Sequence, residues 1–432
     1  MKSNFTQKII PKGWQEKKLG DVCDIINGST PKRSISEYWD NGNIPWFTVD
    51  DIRSNGRIIN KTNQYITDKA LKETSVKLLP EDSVLLCCTA SLGEVAFTKI
   101  PLTTNQQFNG LISKNKGNLF PYYLFYSAQK LGENLKNKSG QTTINFLSVG
   151  SLSKEKLLIP SLKEQKKIAG ILGTVDEDIA KTQAVIEATE KLKRGLMQQL
   201  FTRGIGHTKF KETKIGQIPE EWKVVKLSEI ALLERGRFSH RPRNAPEFYG
   251  GNIPFIQTGD VISSNGKIST YTQTLNEKGL SVSKLFKKGT IVITIAANIG
   301  DTGILEFDSC FPDSLIGITT TEKIDSVFLE YYLRTQKQHL NSISTQSAQK
   351  NINLEKLNPL LIVFPSLKEQ KEIAEILSAV DEKILVNKKI MLKLNQLKKG
   401  LMQDLLSGKV RTDDHFADAS KTIKMQKKMY KL

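Results

Sequence analysis

The strongest constraint on this chain is a repetition. Pro160–Leu172 reads PSLKEQKKIAGIL, and 205 residues later Pro365–Leu377 reads PSLKEQKEIAEIL. The likeness continues downstream, with VDEDI at Val175–Ile179 against VDEKI at Val380–Ile384, and KRGLMQQL at Lys193–Leu200 against KKGLMQDL at Lys398–Leu405. Solenoid units run to about 20–50 residues, so a period this long denotes a two-fold duplication inside one polypeptide.

Each copy opens with proline and serine, and a glutamate follows three residues after the serine: Glu164 after Ser161, Glu369 after Ser366. This is the capping-box pattern, in which hydroxyl and carboxylate each satisfy an orphan backbone N–H at a helix start. An apolar comb follows. In the first copy it runs through Ile168, Leu172, Val175, Ile179, Thr182, Ile186, Thr189, Leu192, Leu196 and Leu200. In the second it runs through Ile373, Leu377, Val380, Ile384, Asn387, Met391, Leu394, Leu397, Leu401 and Leu405. Steps alternating mostly between four and three are the seam of a coiled coil. Neither copy contains an internal proline. The 39 residues from Leu162 to Leu200 would make a helix about 58 Å long at about 1.5 Å per residue. A lone helix of that length cannot leave its stripe in water, so the two copies are expected to pair with each other. Thr182 and Asn387, at matching positions, are candidates for setting the register.

At 432 residues the chain is expected to hold two to three domains with real cores. Its net charge of +18 and pI near 9.5 favour polyanionic partners, nucleic acid first and an anionic membrane second. No apolar run approaches a membrane span and the MKSNFTQKII start lacks a signal-peptide core, which points to a cytoplasmic location. Cys23, Cys87, Cys88 and Cys310 form no C-x-x-C, and the four histidines form no H-E-x-x-H, so no metal is expected.

The regions before the two helices also match. Trp14 and Leu19 correspond to Trp222 and Leu227, and GNIPWFTVDDI at Gly42–Ile52 to GNIPFIQTGDV at Gly251–Val261. SVLLCCTASLGEVAF at Ser83–Phe97 and TIVITIAANIGDTGI at Thr290–Ile304 each read as strand, small-residue turn at Gly93 or Gly300, and second strand. Helices are expected at Pro121–Lys130 and Val327–His339; then Ile144–Phe146 and Ile352–Leu354 precede one more strand. The order is therefore domain, helix, domain, helix. Residues between the matched positions diverge: Asn105-Gln106 stands where Asp313-Ser314 stands, and Lys32-Arg33 gives way to a denser basic loop.

Catalytic machinery is not found. There is no P-loop and no glycine-rich dinucleotide or S-adenosylmethionine fingerprint. Asn358-Pro359-Leu360-Leu361 lacks the second proline and the aromatic of an amino-methyltransferase loop and reads as a strand-end turn. Asp50-Asp51 reads as a turn rather than as metal carboxylates. These features point to a binding subunit and not a catalyst. Competing readings are a coiled-coil scaffold without a nucleic-acid function, and an autonomous methyltransferase.

Two globular halves, each followed by a capped helix running from PSLKEQK-x-IA-x-IL to K-[RK]-GLMQ-x-L, with G-x-IP-[WF] early in each half, resemble the DNA-specificity subunit of type I restriction–modification systems. The likeness covers about residues 11–410. It implies an α+β fold: two similar globular target recognition domains separated by two long antiparallel coiled-coil helices, with an internal pseudo-two-fold. The implied layout is recognition domain 1 at 11–160, spacer helix 1 at 161–203, linker at 204–217, recognition domain 2 at 218–365, spacer helix 2 at 366–408, and a basic, disordered tail at 409–432. The resemblance further implies a non-catalytic role in reading a bipartite, asymmetric target on double-stranded DNA. Two adenine-N6 methyltransferase subunits and restriction/translocase subunits would be the partners, with S-adenosylmethionine and ATP bound on those subunits and no cofactor in this chain.

Candidate DNA contacts are Lys32, Arg33, Ser91, Asn105 and Gln106 in the first half, and Arg235, Arg237, His240, Arg241, Arg243 and Asn298 in the second. Arginines suit phosphates or a bidentate contact to guanine, and Asn or Gln can pair the N6 and N7 of adenine; the plain alternative is a solvated loop or a closed turn. Helix pairing and partner docking fall to Ile168, Leu172, Val175, Ile179, Leu196 and Leu200 with Ile373, Leu377, Val380, Ile384, Leu401 and Leu405. Trp14, Trp222 and Trp46 (matched by Phe255) read as core anchors.

Overall fold

A computed structural model describes residues 10–89, 91–139, 147–296, 298–344 and 351–412. Ile144–Phe146, and the expected tail beyond Thr412, lie outside them. The chain forms two compact units. One joins the residues through Thr182 to those from Ile390 onward; the other is Gln183–Lys389. Among the described residues, no helix is long and apolar enough to cross a membrane.

The two units are built the same way. In the first, a five-stranded sheet runs in the order Cys23–Asn27, Phe108–Ser113, Val84–Cys87, Val95–Thr98, Ile58–Ile59. In the second the order is Ala231–Arg235, Leu315–Thr320, Ile291–Thr294, Thr302–Leu305, Gly266–Ile268. The last pair is parallel and the others antiparallel in both sheets. The central strands are buried on both faces, which is why they read as unbroken apolar runs. Val84 and Leu86 face a core shared with the helix Pro121–Ser139, while Leu85 and Cys87 face a second core with Phe47 and Phe108. Ile291 and Ile293 do the same toward Phe328 and Leu329, and Val292 toward Phe286 and Phe311. A smaller sheet holds Ile44–Phe47 in the first unit and Tyr249–Phe255 in the second.

The two long helices are Leu162–Arg203, 42 residues, and Leu367–Leu405, 39 residues. They pair antiparallel, and each unit contains opposite ends of both. The core of the first unit takes Ile168 and Leu172 from one helix and Met402 and Leu405 from the other; the core of the second takes Leu200 and Phe201 with Ile373 and Leu377.

The capping expectation holds for the serines only. Ser161 Oγ and Ser366 Oγ each accept the N–H three residues on, 3.3 Å. The carboxylates instead bind across the fold. Glu164 is 1% exposed and accepts from Trp14 Nε1 at 3.1 Å and Arg411 Nε at 2.9 Å. Glu369 accepts from Trp222 Nε1 at 2.9 Å, the Ile205 N–H at 3.0 Å, and His207 Nε2 at 2.9 Å. A buried carboxylate needs several strong donors, and an indole N–H with a cation supplies more than a lone backbone N–H would. The next residues repeat the device. Gln165 and Gln370 are fully buried; each amide binds backbone atoms of its own unit, Phe120 N–H and Pro160 O for one, Asp325 N–H and Pro365 O for the other.

Two details of the helices differ from expectation. Leu192 and Leu397 are 55% and 37% exposed. Their places toward the partner helix are taken by Lys193 and Lys398, which form ion pairs of 2.6 Å with Asp381 and Asp176. Tyr331 and Tyr126 hydroxyls donate to the same two aspartates, at 2.6 and 2.9 Å. Thr182 and Asn387 bond to carbonyls four residues back on their own helices, at 2.7 and 2.8 Å, so neither side chain reads the partner's register.

Two connecting segments carry defined structure. Across the end of the linker at 204–217 and the start of the second domain, Phe210–Thr213 pairs with Gly216–Pro219 as a hairpin. At the start of the expected tail, Arg411 binds Glu164 and the Lys12 carbonyl, and Thr412 is 2% exposed. Composition hid both: lysine and glycine say nothing about a long-range acceptor.

Candidate nucleic-acid interface

In each unit the glycine-bearing loop after the first sheet strand crosses tightly over a second loop. A Cβ on Gly28 would lie 2.0 Å from Asn105 O, and one on Gly236 would lie 2.3 Å from Pro312 O. Only glycine permits this approach, and it fixes which side chains meet.

In the second unit the crossing gathers the basic loop around Asp313. Arg243 forms an ion pair with one Asp313 oxygen, Arg241 Nη2 lies 3.7 Å from the other, and Arg235 Nε donates to the Asp313 carbonyl at 2.6 Å. Arg237 Nη2 bonds Ser283 O at 2.8 Å, and Arg241 Nη1 bonds the carbonyls of Phe238 and His240 at 2.7 and 2.8 Å. His240 packs on Phe248, ring centroids 4.2 Å apart. The arginine–Asp313 pairs are about half exposed, and such pairs are worth little, so a phosphate can replace the carboxylate at small cost. Beside them opens a cleft of about 340 Å³, walled by Phe238, Tyr249 and Phe255 and edged by Arg243, Gln257 and Gln273. Gln257 Nε2 donates to Gln273 Oε1 at 3.0 Å.

The first unit makes the same crossing with other chemistry. Thr30 Oγ1 donates to Gln106 Oε1 at 2.5 Å, tying the loops together. The Arg33 guanidinium lies 3.6 Å from the ring centre of Trp39 and 4.7 Å from that of Trp46, and Nη2 donates to Gln64 Oε1 at 2.6 Å. Lys32 is exposed, and its carbonyl accepts from Trp39 Nε1 at 3.2 Å. Asn105 closes its own turn, accepting the Gln107 N–H at 3.1 Å. Where the second unit leaves an aromatic cleft open, the first lays its own arginine over the aromatic rings.

Lys32, Arg33, Asn105 and Gln106 thus come together, as do Arg235, Arg237, His240, Arg241 and Arg243. Ser91 and Asn298 do not join these clusters through any hydrogen bond among the described residues. Ser91 belongs to the turn closed by Glu94 N–H on its carbonyl, 3.1 Å, and Asn298 sits exposed in the matching turn. Sequence reasoning missed Trp39, Gln64, Gln257, Gln273 and Tyr249. The available signal was position: Gln64 and Gln273 match each other in the two copies, as Trp46 and Phe255 do. Asp51, read as a turn residue, accepts the Thr48 N–H at 2.7 Å and the Asn63 N–H at 2.6 Å, capping the helix Val49–Asn55.

Comparison with known proteins assigns the architecture. The family model described as type I restriction modification DNA specificity domain matches twice, at residues 11–190 and 219–396. The type I restriction enzyme MjaIX specificity subunit of Methanocaldococcus jannaschii is 28% identical, covering 94% of this chain and 95% of its own length. The type I restriction enzyme EcoprrI specificity subunit of Escherichia coli is 39% identical over 144 residues, 33% of this chain and 35% of that protein. The crystal structure of the S subunit of a type I restriction–modification system from M. genitalium shares the fold, with TM-score 0.58 at 16% identity over 94% of this chain and 98% of that one. With the family model covering both halves, the two repeated units and their paired helices place this chain in the type I restriction–modification DNA specificity family.

Proposed function

We propose that this specificity subunit reads a bipartite, asymmetric sequence on double-stranded DNA, one part with each crossing-loop cluster. It would direct two adenine-N6 methyltransferase subunits, and restriction/translocase subunits, to that sequence in the cytoplasm. S-adenosylmethionine and ATP would be bound by those partners, and this chain would contribute recognition alone. The observation that carries the reading is the pair of matched loop crossings with unmatched linings. The same backbone crossing presents Arg33, Trp39 and Gln64 in one unit and Arg243, Gln257 and Gln273 in the other. Identical linings would read a palindrome; different ones read two different half-sites. Phosphate contacts from the arginines would fix position, and the glutamines would read base edges.

The test is a domain exchange. Residues 218–365 are replaced by the corresponding domain of another family member, and methylated adenines are mapped after assembly with the cognate methyltransferase. One half of the methylated sequence should change while the other stays. Loss of both halves, or no change, would defeat the reading.

A further inference from the structure

Arg33 is held in place without being neutralised. Trp39 and Trp46 meet edge to face, ring centres 5.0 Å apart and planes at 89°. Each indole N–H is spent on the loop that carries Arg33: Trp39 Nε1 donates to the Lys32 carbonyl and Trp46 Nε1 to the Ser29 carbonyl, both at 3.2 Å. The rings are thereby fixed against that loop, and the guanidinium lies over them. Among the described residues its one hydrogen bond runs from Nη2 to Gln64 Oε1 at 2.6 Å, and no carboxylate pairs with it. A stacked guanidinium keeps its remaining N–H groups at its rim for in-plane bonds, and its planar fork loses little freedom on forming them. Arg33 is exposed, so a ligand can reach it.

The same bond fixes Gln64. Arginine only donates, so the amide must turn its oxygen to Arg33 and hold its NH2 group beside the guanidinium. That NH2 group is not buried and has no acceptor among the described residues. Arg33 and Gln64 together therefore present hydrogen-bond donors only. The second unit does not. Its matching glutamine, Gln273, stands opposite Phe255 as Gln64 stands opposite Trp46, and it is tied to Gln257. Whichever amide donates in that pair, one side-chain carbonyl stays free, because the Asp260 N–H goes to the backbone oxygen of Gln257. The second unit thus offers a donor and an acceptor side by side.

We propose that Arg33 and Gln64 read one guanine through the major groove of the first half-site. This rests on the bipartite reading above and assigns Arg33 to a base instead of a phosphate. In the major groove guanine shows two acceptors, N7 and O6. Adenine shows one acceptor beside its N6 donor, thymine one beside a methyl group, and cytosine a donor. An edge made only of donors matches guanine, and it sets donor against donor at adenine or cytosine. A phosphate could accept from Arg33, but phosphates are alike at every step and cannot use the discrimination that a locked amide adds.

The test uses the full chain assembled with its cognate methyltransferase. Methylated duplexes recovered from a random pool give the target, and the half that persists when residues 218–365 are exchanged belongs to the first unit. That half should contain a guanine at which 7-deazaguanine, which lacks the N7 acceptor, weakens binding about tenfold or more, whereas inosine, which keeps N7 and O6, binds within about twofold of guanine. Arg33→Ala, and Gln64→Glu, which puts an acceptor of the same shape in place of the donor, should each bring the affinities for guanine and adenine at that position within about threefold, with the second half unchanged. Thermal unfolding of each variant checks folding, and the base analogues carry the test on the wild-type chain should a variant fail to fold. No guanine in that half, or one indifferent to 7-deaza replacement, would overturn the assignment. So would an Arg33→Ala variant that loses affinity equally for all sequences and keeps its base preference, the mark of a phosphate contact. If the exchange altered both halves, the bipartite reading itself would fall, and this assignment with it.

Discussion

Glu369 joins three separate parts of the second unit through one side chain: the indole of Trp222, the backbone at Ile205 and the ring of His207. Replacing it by alanine leaves a buried indole N–H without an acceptor. Glu369→Ala is therefore expected to cost about 2–4 kcal/mol, read as a lower chemical-unfolding midpoint by tryptophan fluorescence. Glu369→Gln, which keeps an acceptor but loses the charge, should cost about half as much. A change under about 0.5 kcal/mol for alanine would mean that Trp222 finds another acceptor. The serine-to-glutamate spacing was legible in the sequence, but the role was not, because a capping box is a local pattern and Trp222 is 147 residues away. The same holds in the candidate interface. The basic residues could be listed from composition, whereas Gln64, Gln257 and Gln273 became candidates only when the glycine crossings brought their strands beside the loops.

At the scale of elements, the helix comb was read correctly at both ends and wrongly at Leu192 and Leu397. Leucine spacing placed Leu192 and Leu397 inward, yet Lys193 and Lys398 face the partner helix. A half-buried lysine is tolerated there because an aspartate and a tyrosine hydroxyl meet it, a compensation that no single-helix pattern contains. Lys398→Asp should destabilise the first unit by about 2–4 kcal/mol by setting two carboxylates against each other. Adding Asp176→Lys should recover at least half of that loss. Thermal unfolding of the two single variants and the double variant measures the coupling, and additive losses would remove these ion pairs as a source of helix register. The equivalent exchange at Lys193 and Asp381 should behave likewise in the second unit.

At the scale of the whole molecule, a net charge of +18 makes duplex binding an exchange of counterions for phosphates. If about 6–10 phosphates are contacted, affinity should fall about 10³–10⁵-fold between 50 and 200 mM salt. A flat salt response, measured by fluorescence anisotropy, would remove DNA as the polyanion. The sequence by itself determined the duplication, the existence of two long pairing helices, and the basic surface, because period and charge are carried by every residue in a row and survive without knowledge of neighbours. Only the tertiary structure decided which glutamates become buried acceptors, which lysines enter the helix seam, and which loop residues converge at each loop crossing. Those choices depend on partners as much as 247 residues apart, as for Glu164 and Arg411, and are made when the chain returns on itself.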